Sequence, residues 1–315
     1  MRSKKEFPVN KIKTFIKNII PFNNRSDMPL ILYVIKVILI FWVFKFASEL
    51  AGEGIVLALH FACGKNPLQG EMFDSNTITL ISYFGYGFMI GIIFLLWKLF
   101  QKKTPAELGF TKPAWSYFAG AAAGAVLVVI SVALTVLTGA IRFNGVFDNI
   151  NTGMVLLMLG GFVFQGAFEE MLCRGVVQQL LQKKSVPVAV GVSAALFTIP
   201  HVLNMDFSSP AIAVTAVINL LLISLIFSLL TIRFRSIWAA CGMHSIWNYI
   251  LYSILGLNLS GSDEITASVF NMSSVGKNIL NGGVYGIEAS TLTTAVLVVA
   301  ATLLILFTAR KSNRA

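Results

Sequence analysis

Two adjacent acids, Glu169 and Glu170, interrupt the apolar run GGFVFQGAFEEMLCRGVV, and Arg174 follows close behind them. Two other apolar segments carry His201, in FTIPH, and His244 with Asn248, in HSIWN. Carboxylates, imidazoles and amides are the groups that move protons, ligate metals or stabilise a developing oxyanion. Inside a bilayer such groups are costly, and where they occur they mark a site. Three of these segments in one chain point to chemistry carried out within a membrane.

Helical spacing divides the labour among these groups. Residues four apart share a helix face, whereas neighbours diverge by about 100°. Glu170 and Arg174 are therefore expected to form a buried ion pair. Glu169 faces elsewhere, has no such partner in its own helix, and is expected to act as a general base. Phe197 and His201 are also four apart, so the ring can pack beneath the imidazole; Pro200 removes a backbone donor just before it. His244 and Asn248 present an imidazole and an amide on one face. The remaining histidine, His60, has no comparable neighbours and is assigned no role.

The elements that position these groups follow from composition. The chain is 56% hydrophobic and 12% charged, too apolar for the surface of a soluble domain of this length. Apolar runs of about 20 residues, enough to cross a bilayer as a helix, recur along it. The expected fold is all-α and polytopic, with about eight spans at 30–51, 77–97, 116–138, 152–182, 186–203, 211–232, 236–256 and 290–308. Lys45, within the first of these, either pairs with Glu49 or marks the end of the span, and Lys36 is expected to snorkel. No alternating β-barrel pattern is present. Gly120 and Gly124 in the third span form a small-residue face suited to close helix packing.

The net charge of +10 follows topology and does not indicate nucleic acid. Lys98, Lys102, Lys103, Lys112, Lys183, Lys184, Arg233 and Arg235 lie in alternate connections, and the basic termini fall on the same side. The opposite connections offer only Lys65, Arg142 and Lys277. The positive-inside rule then places both termini in the cytoplasm of a multi-pass cell-membrane protein. Residues 1–28 are either an amphipathic helix on the inner leaflet or a solvated basic leader. Residues 29–309 form one membrane domain, and 310–315 a basic tail. Thr104, Pro105 and Glu107 read as a helix start, and the polar segment 257–289 as an extracytoplasmic loop. Cys63, Cys173 and Cys241 are too few and scattered for a disulfide framework.

Depth agrees with convergence. At about 1.5 Å per residue, Glu169 lies about 21 Å from the Lys183 end of its helix and His201 about 23 Å into the fifth span. His244 and Asn248 lie about 12 and 18 Å into the seventh. All four are expected to meet near the membrane midplane.

Glu169-Glu170-x-x-x-Arg174, Phe197-x-x-x-His201 and His244-x-x-x-Asn248, in that order, resemble the CAAX protease and bacteriocin-processing (Abi) family of intramembrane proteases. The resemblance covers about residues 105–255, with Glu107–Phe110 similar to a frequent lead-in to the first motif. It implies an eight-helix core and peptide-bond hydrolysis in the membrane. Glu169 would be the water-activating base, with Glu170 and Arg174 completing its motif. His201 would be the second catalytic group, and His244 and Asn248 would stabilise the oxyanion. Cys173, where the family often has an aromatic residue, and Pro200 depart from the pattern without removing a catalytic group. A zinc ion held by His201, His244 and Glu169 is the metal-assisted version, although the H-E-x-x-H helix is missing. The expected partners are a membrane-embedded or membrane-surface peptide substrate and the lipid bilayer. A proton-coupled transporter and a catalytically silent immunity or regulatory protein are the alternatives. The Lys-, Ile-, Asn- and Phe-rich composition suits a low-GC bacterium, where peptide maturation, bacteriocin immunity or surface-protein regulation would supply substrates.

Overall fold

The computed structural model describes residues 14, 16–203, 205–261 and 267–312. Half of the basic leader (residues 1–13 and 15) and the end of the basic tail lie outside the described residues. Along the chain run α1 (Leu30–Ala62), α2 (Ser75–Leu96, prolonged by a π turn, Trp97–Gln101) and α3 (Ser116–Leu137). Next come α4 (Thr152–Glu170, prolonged as a π-helix over Met171–Gln178 and a last turn, Gln179–Leu181), α5 (Val186–Leu203) and α6 (Pro210–Phe234). They are followed by α7 (Trp238–Tyr249, ending in a π turn, Ile250–Ile254) and α8 (Thr291–Ser312). All of these except α7 are long and apolar enough to cross a membrane. The helix α7 has 12 residues before its π turn and lies in the seventh expected span, 236–256. The protein is an all-α, multi-pass membrane protein.

The expected spans match these helices closely except at α1, which was expected to end at 51 and continues to Ala62. Lys45 pairs with Glu49 one turn on and does not terminate the helix. A helix satisfies its own backbone in lipid and in water alike, so the change from apolar to mixed sequence need not end it. Lys36 does not snorkel into solvent. It is buried, and its Nζ donates to Asn23 Oδ1 and to the Arg25 carbonyl, each at 2.7 Å.

The helix α7 is wedged between α3 and α4 by missing side chains. A Cβ on Gly120 would stand 1.8 Å from the Ala239 carbonyl oxygen, and one on Gly124 2.6 Å from that of Met243. On the other side of the crossing, a Cβ on Gly242 would meet the Tyr117 carbonyl oxygen at 2.0 Å. The small-residue face of α3 therefore brings two backbones into contact, as its spacing predicted. Against α4, a Cβ on Gly166 would lie 2.8 Å from Ser245 Oγ.

The connections are more ordered than the sequence suggested. Thr104 and Glu107 close a capping box on a single 3₁₀ turn, Pro105–Leu108. Lys103 and the Thr104 amide hold the Glu107 carboxyl below the usual carboxylate range. Within the α3–α4 connection, β1 (Ile141–Val146) pairs antiparallel with β2 (Phe270–Ser274) of the α7–α8 connection, Ile141 opposite Ser274. The α7–α8 segment is a folded cap. Its fully buried Asn281 donates Nδ2 to the carbonyls of Ala140 and Gly276 at 3.1 and 2.9 Å. Asn219 of α6 donates to the carbonyls of Glu288 and Ser290, both at 2.9 Å.

Candidate active site

Glu169 and Glu170 are the last two α-helical residues of α4 before its π segment begins. Such π segments frequently interrupt helices at functional sites. Glu170 turns into the protein, where neither it nor Arg174 has any exposed side-chain surface, and the two pair at 3.1 Å. Arg174 Nη2 also donates to the Ser224 carbonyl at 2.9 Å and to the Ser224 hydroxyl. The guanidinium lies over the rings of Phe197 and Phe227, 4.9 and 5.0 Å from their centroids. A buried charge needs this many partners to offset its desolvation.

Glu170 has a second partner that helical spacing did not anticipate. His244 Nδ1 lies 3.0 Å from Glu170 Oε1, so the imidazole donates to the carboxylate. The ring of His244 stacks on Phe227, with centroids 5.2 Å apart and planes inclined by 15°. Glu170 thus fixes the orientation of a histidine as well as neutralising an arginine. With Nδ1–H committed to Glu170, Nε2 of His244 can donate only when the ring is an imidazolium.

Glu169 faces the other way, as expected, with no ion-pair partner in its own helix among the described residues, but a neutral amide there does bind it. Gln165, one turn back, donates Nε2 to Glu169 Oε1 at 2.6 Å. Gln165 Oε1 in turn accepts from Asn248 Nδ2 at 3.0 Å. The amides of α4 and α7 therefore hold one oxygen of the carboxylate in place. Its other oxygen, Oε2, faces two imidazoles: His201 Nε2 at 3.8 Å and His244 Nε2 at 3.9 Å. His201 is set by its own helix, donating Nδ1 to the Phe197 carbonyl at 2.8 Å. The Phe197 ring packs against it at a centroid distance of 4.8 Å. This arrangement leaves Nε2 of a neutral His201 as an acceptor aimed at Glu169.

The six residues of the three motifs are thus brought together, from α4, α5 and α7. Glu169, His201, His244 and Asn248 line one cavity of about 200 Å³, together with Gln165, Tyr83, Tyr86 and Glu288. The Glu170–Arg174 pair sits behind it. His60 lies apart, with Nδ1 on the Val56 carbonyl and Nε2 accepting from the Phe73 amide. Cys173 and Cys241 are buried free thiols.

Two residues of the site were missed from sequence. Gln165 had a legible signal, being a polar residue four before Glu169 in an apolar run. Glu288 had none, since it enters from a polar connection far along the chain. Its carboxylate accepts from the Ser260 amide at 2.7 Å, the Ser260 hydroxyl at 2.9 Å and Trp247 Nε1 at 3.3 Å.

Zinc with ligands at about 2.0–2.1 Å brings its donor atoms to about 3.3–3.4 Å from one another in a tetrahedron. The Glu169 oxygen is 3.8 and 3.9 Å from the two imidazole nitrogens. Among the described residues no group of three or more His, Cys, Asp or Glu side chains is gathered closely enough to hold an ion. As they stand, these three side chains do not fit a zinc site.

The family model for Rce1-like type II CAAX prenyl endopeptidases matches residues 151–250. Over these residues the chain is similar to the Rce1-like family. This region runs from the start of α4 to the end of the α-helical part of α7 and contains all six motif residues. The Rce1-like match stops short of Ser260 and Glu288, which reach the same cavity from outside it. No curated protein and no solved structure matches the chain.

Proposed function

We propose that the protein is an intramembrane endopeptidase that hydrolyses peptide bonds of membrane-embedded or membrane-surface peptides. The observation that carries this reading is the approach of His201 and His244, from two other helices, to one oxygen of Glu169. Separations of 3.8–3.9 Å exceed a direct hydrogen bond and suit a water held between the groups.

Glu169 takes a proton from that water while His201 Nε2 accepts its second hydrogen bond. The hydroxide oxygen bonds to the peptide carbonyl carbon, and the carbonyl electron pair moves onto its oxygen. His244, as an imidazolium oriented by Glu170, donates Nε2–H to this oxyanion, together with the second N–H of Asn248. Collapse of the intermediate breaks the C–N bond, and protonated Glu169 returns its proton to the leaving amine. A preorganised donor in a water-poor cavity is worth on the order of 3 kcal/mol of barrier. No step requires a metal. The basic connections support a cytoplasmic location for both termini by the positive-inside rule, and a bacterial cell membrane is the proposed location.

The test compares wild type with Glu169→Ala and His201→Ala for accumulation of uncleaved membrane peptides. Each substitution is expected to slow cleavage by at least about 100-fold without loss of folded protein. Unchanged peptide profiles in two well-folded variants would overturn the reading, and a transport phenotype surviving both would favour a transporter.

A further inference from the structure

Glu169 and His201 line not one cavity but two. The second, of about 260 Å³, extends from them toward α1 and is bordered by Phe41, Lys45, Glu49 and Cys173. Lys45 is the one lysine or arginine among the described residues that line either of these two cavities. It lies 15 residues into α1, and His201 lies 15 residues into α5. The two side chains thus start from similar depths, about 23 Å from the basic ends of their helices.

Hydrolysis by Glu169 and His201 makes no use of Lys45. An ammonium in the apolar part of a span is costly and calls for an explanation by function. Its partner, Glu49, neutralises it, and both side chains border the cavity. A pair kept only for stability gains little, because desolvation offsets most of its attraction. A cation with an exchangeable counter-ion beside a reacting centre is suited to receive an anionic group of the substrate.

We propose that Lys45 is a substrate-binding residue that takes a carboxylate of the peptide close to the scissile bond, exchanging Glu49 for it. The carboxylate is either an acidic side chain or the peptide's own C-terminus, since both present the same group. This proposal rests on the endopeptidase reading for the bond that is cut, but the binding preference can be measured apart from cleavage.

The full-length protein in lipid nanodiscs, carrying Glu169→Ala so that no turnover occurs, is titrated with N-acetylated apolar tripeptides. Each is made as C-terminal acid and amide, and with glutamate or glutamine as its last residue. The acid forms are expected to bind about tenfold more tightly than their neutral counterparts. Adding Lys45→Gln should erase that difference and Lys45→Arg should largely keep it. Glu49→Gln, which frees the ammonium, should widen it. Comparing acid–amide with glutamate–glutamine pairs tells terminal from side-chain recognition. Equal binding of acid and neutral peptides, or loss of both in parallel in the Lys45 and Glu49 variants, overturns the proposal. A Lys45-dependent preference in a protein that cleaves nothing without Glu169→Ala would sink the endopeptidase reading and leave this one standing.

Discussion

At the scale of residues, Glu170 serves two partners at once. It neutralises Arg174 and orients His244 through the same oxygen, Oε1. Removing one member of a buried, hydrogen-bonded pair costs about 3–5 kcal/mol, so Arg174→Ala should sharply lower the thermal unfolding midpoint in detergent. Glu170→Gln keeps an acceptor for both partners but removes the charge that supports a His244 imidazolium. It should remain folded and lose about 10–100-fold in cleavage rate, read from single-turnover assays beside unfolding curves. Chelation should leave activity intact, and elemental analysis of the purified protein should find no stoichiometric zinc. Zinc lost in step with activity would reverse that assignment. Most of this constellation was legible because four-residue spacing on a helix is simple arithmetic. The spacing that pairs Glu170 with Arg174 also pairs Gln165 with Glu169, but a neutral amide stands out less than a charge in an apolar run. The Glu170–His244 contact spans 74 positions of sequence, a distance that no local periodicity reports.

At the scale of elements, the site depends on how closely α7 can approach its neighbours. Gly242 faces the Tyr117 backbone, which cannot rotate aside as a side chain can. Gly242→Ala should therefore cost at least about 1–3 kcal/mol by overpacking and reduce folded yield. Gly54 of α1 has no other heavy atom near its would-be Cβ. Gly54→Ala is expected to be neutral or to stabilise by up to about 1 kcal/mol, as measured by the same unfolding assay. Sequence anticipated the glycine face of α3 through Gly120 and Gly124, although not the matching Gly242 on α7. It gave no hint of the π segments after Glu170 and Tyr249, because an apolar helix has little amphipathic signal from which to detect a changed pitch.

At the scale of the whole molecule, the cap formed by the α7–α8 connection is the part that hydropathy describes least well. Its polar composition predicted a loop between the last two spans, and buried amides and a two-stranded pairing fold that loop onto the helices. Long-range backbone pairing and amide-to-carbonyl bonds leave no hydrophobic period to detect. Glu288 ties this cap to α7 through Trp247. Glu288→Ala should speed amide hydrogen exchange in the cap, near residues 257–260 and 285–290, while exchange in α3 is unchanged. Equal exchange in wild type and variant would count against that tether. Tyr86, Glu169, Phe197, His201 and Ser260 border both cavities, so the carboxylate stands on the border shared by two chambers. On the proteolytic reading, a peptide lying across that border covers it. Each turnover then draws on water captured before the peptide arrived, which makes hydration an ordered first step and slow rehydration a ceiling on rate.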